Sequence, residues 1–106
     1  MVACGRVVLC AGAVWVGFST PAFPDTIRIT IDKLVFAPAS VSAKVGDTIE
    51  WVNNDILAHT ATAANGDWNV MITPKKSGQA VLKSAGTINY YCRFHPNMTG
   101  RIAIEP

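Results

Sequence analysis

Tyr90-Tyr91-Cys92-Arg93-Phe94-His95-Pro96-Asn97-Met98-Thr99-Gly100-Arg101-Ile102-Ala103-Ile104 is the stretch that decides how the chain folds. It holds a thiol, an imidazole and a thioether at Cys92, His95 and Met98, with two residues between neighbours. All three side chains are soft or borderline metal ligands. Upstream, Thr87 to Tyr91 is β-branched and aromatic, which predicts a strand ending at Cys92. Downstream, Arg101 to Glu105 alternates polar and apolar residues, which predicts a strand leaving the loop. The expectation is a donor-bearing loop held between two strands. A second imidazole is available only at His59.

Working outward, short runs of alternating hydrophobicity recur along the chain. Thr26 to Phe36 places Ile27, Ile29 and Ile31 against Arg28, Thr30 and Asp32, and Pro38 ends the run. Val41, Ala43 and Val45 alternate with Ser42 and Lys44, and Gly46-Asp47 is a turn signal. Thr48 to Asn53 puts Ile49 and Trp51 on one face. After a loop from Asn53 to Ala58, residues His59, Ala61 and Ala63 share a face, with Thr60 and Thr62 opposite. Asn65-Gly66-Asp67 is a turn, Trp68 to Ile72 a short apolar piece, and Thr73 to Gly78 a solvated turn. Gln79 to Lys83 alternates again, and Ala85-Gly86 turns into the Thr87 strand. Seven or eight short strands without a convincing helix predict an all-β antiparallel sandwich or small barrel.

The chain has 106 residues, one domain's worth. Half of the residues are hydrophobic and 15% are charged, unlike a disordered chain. The formal charge of +2 is spread out, with no basic run or basic-aromatic patch, which argues against nucleic acid as a partner. The first 22 residues read differently. Arg6 is their one charge, Val7 to Phe18 is apolar, and Ser19-Thr20-Pro21-Ala22 offers small residues before Phe23. That pattern predicts a secretory signal over 1–22, a mature domain over 23–106, a periplasmic location and no stable membrane association after cleavage. Cys4 and Cys10 would leave with the signal. Cys92 would remain alone in 84 residues carrying a formal charge of +1, as a free thiol, an intermolecular partner or a metal thiolate.

His59, Cys92, His95 and Met98 each have an ordinary reading as a strand histidine, a buried thiol, a surface histidine and a core methionine. Together they account for both histidines and the one mature cysteine. A structural zinc site favours four Cys or His ligands, and hard cations favour oxygen. Two imidazoles, a thiolate and a weak axial thioether describe a trigonal blue-copper site.

Residues 26–105 resemble a small cupredoxin, closest in layout to amicyanin, with pseudoazurin and plastocyanin more distant. The resemblance is carried by Val45-Gly46-Asp47-Thr48 leading to Trp51-Val52-Asn53, by His59, by Gly86-Thr87 before Tyr90-Tyr91-Cys92, by the short Cys92–His95–Met98 spacing, and by Gly100 to Ile104. It implies a Greek-key sandwich with His59, Cys92 and His95 as equatorial copper ligands and Met98 as axial ligand. It also implies a monomeric electron carrier rather than an enzyme. Transient partners would be a donor dehydrogenase or a c-type cytochrome, reached through the His95 edge. Ile56, Leu57, Met71, Phe94 and Pro96 are candidates for the surrounding rim. A periplasmic copper carrier or chaperone on the same fold is the alternative. Two positions depart from the family pattern: Thr60 stands where Asn commonly follows the first histidine, and Ala58 where Pro is frequent. A hydroxyl in place of an amide predicts looser bracing between the ligand loops.

Overall fold

The computed structural model describes residues 23–106, so the expected signal over 1–22 lies outside the described residues. Among the described residues nine strands form, in chain order: β1 (Thr26–Asp32), β2 (Val35–Ala37), β3 (Ser40–Lys44), β4 (Thr48–Asn53), β5 (His59–Ala63), β6 (Asn69–Ile72), β7 (Ser77–Val81), β8 (Gly86–Tyr91) and β9 (Thr99–Glu105). One sheet runs β2-β1-β4-β7 and the other β3-β9-β8-β5-β6. The described residues form no helix long and apolar enough to cross a membrane.

The all-β sandwich is the expected class, with two differences. The run from Thr26 to Phe36 is a hairpin rather than one strand. Lys33 and Leu34 both take left-handed backbone conformations (φ 53° and 64°) and return the chain so that Asp32 pairs with Val35. Neither residue is a usual choice for two consecutive positive φ angles, so local sequence hides this turn. The sheets are also mixed, not purely antiparallel: β1 lies parallel to β4 and β3 parallel to β9. Alternation reports which face is buried and is blind to strand direction. The parallel partners are linked by chain that crosses to the opposite sheet and back.

The inner faces meet over Ile29, Ile31, Ile49 and Trp51 on one side and Ala61, Ile72, Ile88, Tyr90, Ile102 and Ile104 on the other, all buried. Aromatic contacts tie the layers together. The Tyr90 ring stands edge-on to Phe36 at 4.8 Å and to Trp51 at 5.6 Å, and Trp68 lies 5.1 Å from Trp51. Such pairs add about 0.5–1.5 kcal/mol each beyond buried area. Gly100 is required beside this cluster, because a Cβ there would collide with the Tyr90 ring. At the far end from His59, the buried Asp47 carboxylate accepts the N–H groups of Asp25 and Lys44, both at 2.9 Å. Those bonds hold its pKa below the usual carboxylate value, against the opposing effect of burial.

Candidate metal centre

His59 opens β5, and Cys92 directly follows β8. The β5–β8 ladder pairs Thr62 with Tyr91, so the start of β5 lies alongside the residues leaving β8. From Cys92 the chain makes two consecutive three-residue turns. His95 N–H donates to the Cys92 carbonyl at 3.2 Å, and Met98 N–H to the His95 carbonyl at 2.8 Å. Cys92 N–H then donates to the Met98 carbonyl at 3.0 Å and closes the loop. A repeat of three matched to turns of three returns each donor-bearing residue to the same end of the sandwich.

The expected donors converge. Cys92 Sγ lies 3.7 Å from His59 Nδ1 and 3.7 Å from His95 Nδ1. All three ligand atoms fall within 4.8 Å of one another. A first-row ion with bonds of about 2.0–2.3 Å spaces trigonal N and S donors by about 3.7 Å, so one ion fits between them. His59 and Cys92 are fully buried, His95 is half-buried, and Met98 is buried. The chemistry is that of a type 1 copper site: two neutral imidazoles, one thiolate and a nearby thioether.

Hydrogen bonds define each donor. His59 Nε2 lies 2.8 Å from Asp55 Oδ2. Donation of the Nε2 proton to that carboxylate leaves the Nδ1 lone pair facing Cys92. Burial works to raise the Asp55 pKa, but the N–H groups of Leu34 and Lys33 and the His59 ring outweigh it and hold the group ionised below the usual range. Those two N–H groups come from the left-handed turn, at 3.1 and 2.7 Å. The strained β1–β2 turn and the buried histidine are thus clamped by one carboxylate. Asn53, also buried, spans the same loop by donating to the Leu57 carbonyl at 2.8 Å and accepting Asp55 N–H at 2.8 Å.

Thr60 faces away from its neighbour His59 along the strand, yet it is buried, because the chain after Cys92 closes over it. Thr60 N–H points at Cys92 Sγ at 3.4 Å, and Thr60 Oγ1 accepts Arg93 N–H at 2.8 Å. The hydroxyl also lies 2.9 Å from Thr62 Oγ1, which donates to Asn69 Oδ1 at 2.7 Å. With the Thr62 proton committed to Asn69, Thr60 donates to Thr62 and keeps its lone pairs for Arg93. The hydroxyl links the two ligand segments through one bond, to Arg93 N–H, and is itself anchored by Thr62.

Around the half-buried His95, the expected rim residues Ile56, Leu57, Met71 and Phe94 are exposed apolar side chains, Ile56 reaching 80% exposure. Pro96 is exposed with them. Leu34 joins them, lining a shallow depression with His95, Pro96, Asn97 and Met98. Sequence reading missed Leu34 and Asp55, because both depend on a turn with no Gly, Asn or Asp at its two central positions.

Residues 7–104 match the model of the cupredoxin-like domain. The chain belongs to the cupredoxin family, and its cofactor is copper. The match begins inside the segment read as an export signal. The chain is similar to the amicyanin of Paracoccus versutus, at 26% identity over 87 residues covering 76% of this chain and 66% of the relative. It is also similar to the plastocyanin of Scenedesmus fuscus, at 31% over 96 residues covering 76% of this chain and 98% of the relative. It thus spans just under two thirds of that amicyanin. A reduced amicyanin variant superposes with a TM-score of 0.66 at 28% identity, covering 76% of this chain and 82% of that one. An oxidised variant gives 0.68 at 26% identity, covering 74% and 81%.

Proposed function

We propose that the protein carries single electrons between redox partners, with His59, Cys92 and His95 as equatorial ligands of one copper ion and Met98 as its axial ligand. The observation that carries this reading is the meeting of two imidazole Nδ1 atoms at 3.7 Å from one buried thiol beneath an apolar surface. Copper supplies the one-electron couple. The chain supplies a fixed cage: two ligands are sealed from water, His59 is locked in one tautomer by Asp55, and Cys92 is held by the Thr60 N–H. Donors held on neighbouring strands of one sheet and braced by hydrogen bonds move little when the charge changes, which keeps the barrier to electron exchange small. His95 turns Nδ1 inward and leaves its other edge toward the rim, where a partner can approach. Solved amicyanins in Cu(I) and oxidised forms share this fold, which supports one cage serving both states.

In this reading residues 1–22 direct export, cleavage falls before Phe23, and residues 23–106 act as a periplasmic monomer. A donor dehydrogenase or a c-type cytochrome would be met only transiently. The deciding test is addition of Cu(II) to the purified domain. An intense thiolate-to-copper absorption and a reversible one-electron couple are expected, both lost in Cys92→Ala. Copper uptake without that absorption would instead favour a copper carrier. N-terminal sequencing of the exported protein tests the cleavage; a chain still beginning at Met1 would refute it.

A further inference from the structure

Charge is sorted along the sandwich. At the end bearing His59 and Cys92 stand Lys33, Lys75, Lys76 and Arg93, all exposed and each fastened to a ligand-bearing segment. Lys33 N–H binds Asp55, and Lys75 Nζ donates to the Asn54 carbonyl at 2.6 Å. The Lys76 carbonyl accepts Asn53 N–H at 2.9 Å, and Arg93 N–H binds Thr60. The acids at that end are Asp32 and Asp55, and the Asp55 carboxylate is engaged by the turn and by His59.

The opposite end has the reverse balance, with Asp25, Asp47, Asp67 and Glu105 against Lys44 and Lys83. Its placement follows from Asp25 N–H and Lys44 N–H on Asp47, Val45 N–H on the Glu105 carbonyl and Gly46 N–H on the Leu82 carbonyl. Asp67 lies in the turn beyond the end of β5 remote from His59. Between the two ends, Arg28 and Glu50 pair with each other at 3.0 Å, and Arg101 stands on β9. Among the described residues the positive pole is therefore the copper end.

We infer that the redox partner docks over His95 with an acidic face around an apolar centre. This rests on the electron-carrier reading and names the kind of partner that reading leaves open. The net charge of the described residues is only +1, too small to orient an approaching protein. Separated charge can orient it, because a field over one end steers encounters and raises association rates by about 10- to 1000-fold at low salt. Ile56, Leu57 and Phe94 supply the close contact, and the cations at the periphery set orientation and salt sensitivity. The four cations sit on turns bonded to the segments that carry the ligands, so a partner they attract arrives where the electron leaves.

The test uses the copper-loaded protein and one acceptor in two charge states: native cytochrome c, which is basic, and succinylated cytochrome c, which is acidic. Electron transfer from the reduced copper protein is followed by stopped flow at low and high ionic strength. Hexacyanoferrate(III) at high salt reports electron-transfer competence separately. The expected result is a rate about tenfold higher with the succinylated acceptor at low salt, converging at high salt. Lys76→Glu should abolish that preference. Lys83→Glu changes net charge equally at the far end and should leave most of it. The inference is overturned if the native acceptor reacts as fast, if the two variants behave alike, or if neither cytochrome reacts while hexacyanoferrate does. Failure with hexacyanoferrate as well would remove the electron-carrier reading and the inference together.

Discussion

Asp55 Oδ2 sits 2.8 Å from His59 Nε2, and the same carboxylate accepts two N–H groups from the Lys33-Leu34 turn. One side chain therefore fixes a ligand's tautomer and a strained backbone turn. Asp55→Ala should lower copper affinity by about 10- to 100-fold, as loss of a partner behind a metal-bound histidine commonly does. Competition with a chelator measures it. Asp55→Glu should recover part of the loss, and equal losses in both variants would mean the carboxylate itself is not what matters.

Thr60 offers a second check. Thr60→Ala leaves Arg93 N–H without its acceptor and should cost about 1 kcal/mol in the apoprotein's unfolding free energy. Thr60→Ser keeps the hydroxyl and should stay near the parent. Thr62→Val removes the anchor of that hydroxyl together with an exposed bond to Asn69, so it should shift the copper absorption more than it shifts stability. Denaturant unfolding and the visible spectrum separate the two effects.

Stability at the extremes of pH follows from two groups. Burial pushes the Tyr90 phenol up to about 12, with Trp51 opposing, so its contribution is complete below pH 10 and fades between 10 and about 12. The hydroxyl completes no hydrogen bond. Tyr90→Phe should then be nearly neutral at pH 7 and should flatten the alkaline fall of the melting temperature. Asp47 acts on the acid side. Its pKa is lowered, so its contribution is present above the ordinary 3.8 and is lost as pH drops through the folded value. Asp47→Asn should weaken the protein at pH 7 and reduce the steepness of acid unfolding.

Gly100 and Tyr90 are coupled by shape. Gly100→Ala forces a methyl into the phenol ring and should cost about 1–3 kcal/mol. Tyr90→Leu removes the atoms it strikes, so the double variant should lose less than the two single changes combined. Additive losses in a double-mutant cycle would show that the ring has room to move.

What the sequence disclosed divides along physical lines. Period-2 runs exposed β1, β4, β5 and β9, because a half-buried strand must alternate. The spacing of Cys92, His95 and Met98 was legible because a loop of three-residue turns repeats its donors. The Lys33-Leu34 hairpin stayed hidden, since its conformation is held by Asp55, twenty-one and twenty-two residues away. Asp55 stayed hidden as well, because nothing local marks a carboxylate that will meet a histidine. Parallel pairing left no trace, as it is a property of connections between sheets.

β9 lies between β3 and β8, and it is the last strand among the described residues. The loop bearing Cys92 is anchored on both sides only when that strand has slotted into place, and His59 is thirty-three residues upstream of Cys92. An unfinished or unfolded polypeptide thus offers scattered donors and no cage. Loading with copper becomes a late event in the life of the molecule, one that certifies the seating of β9.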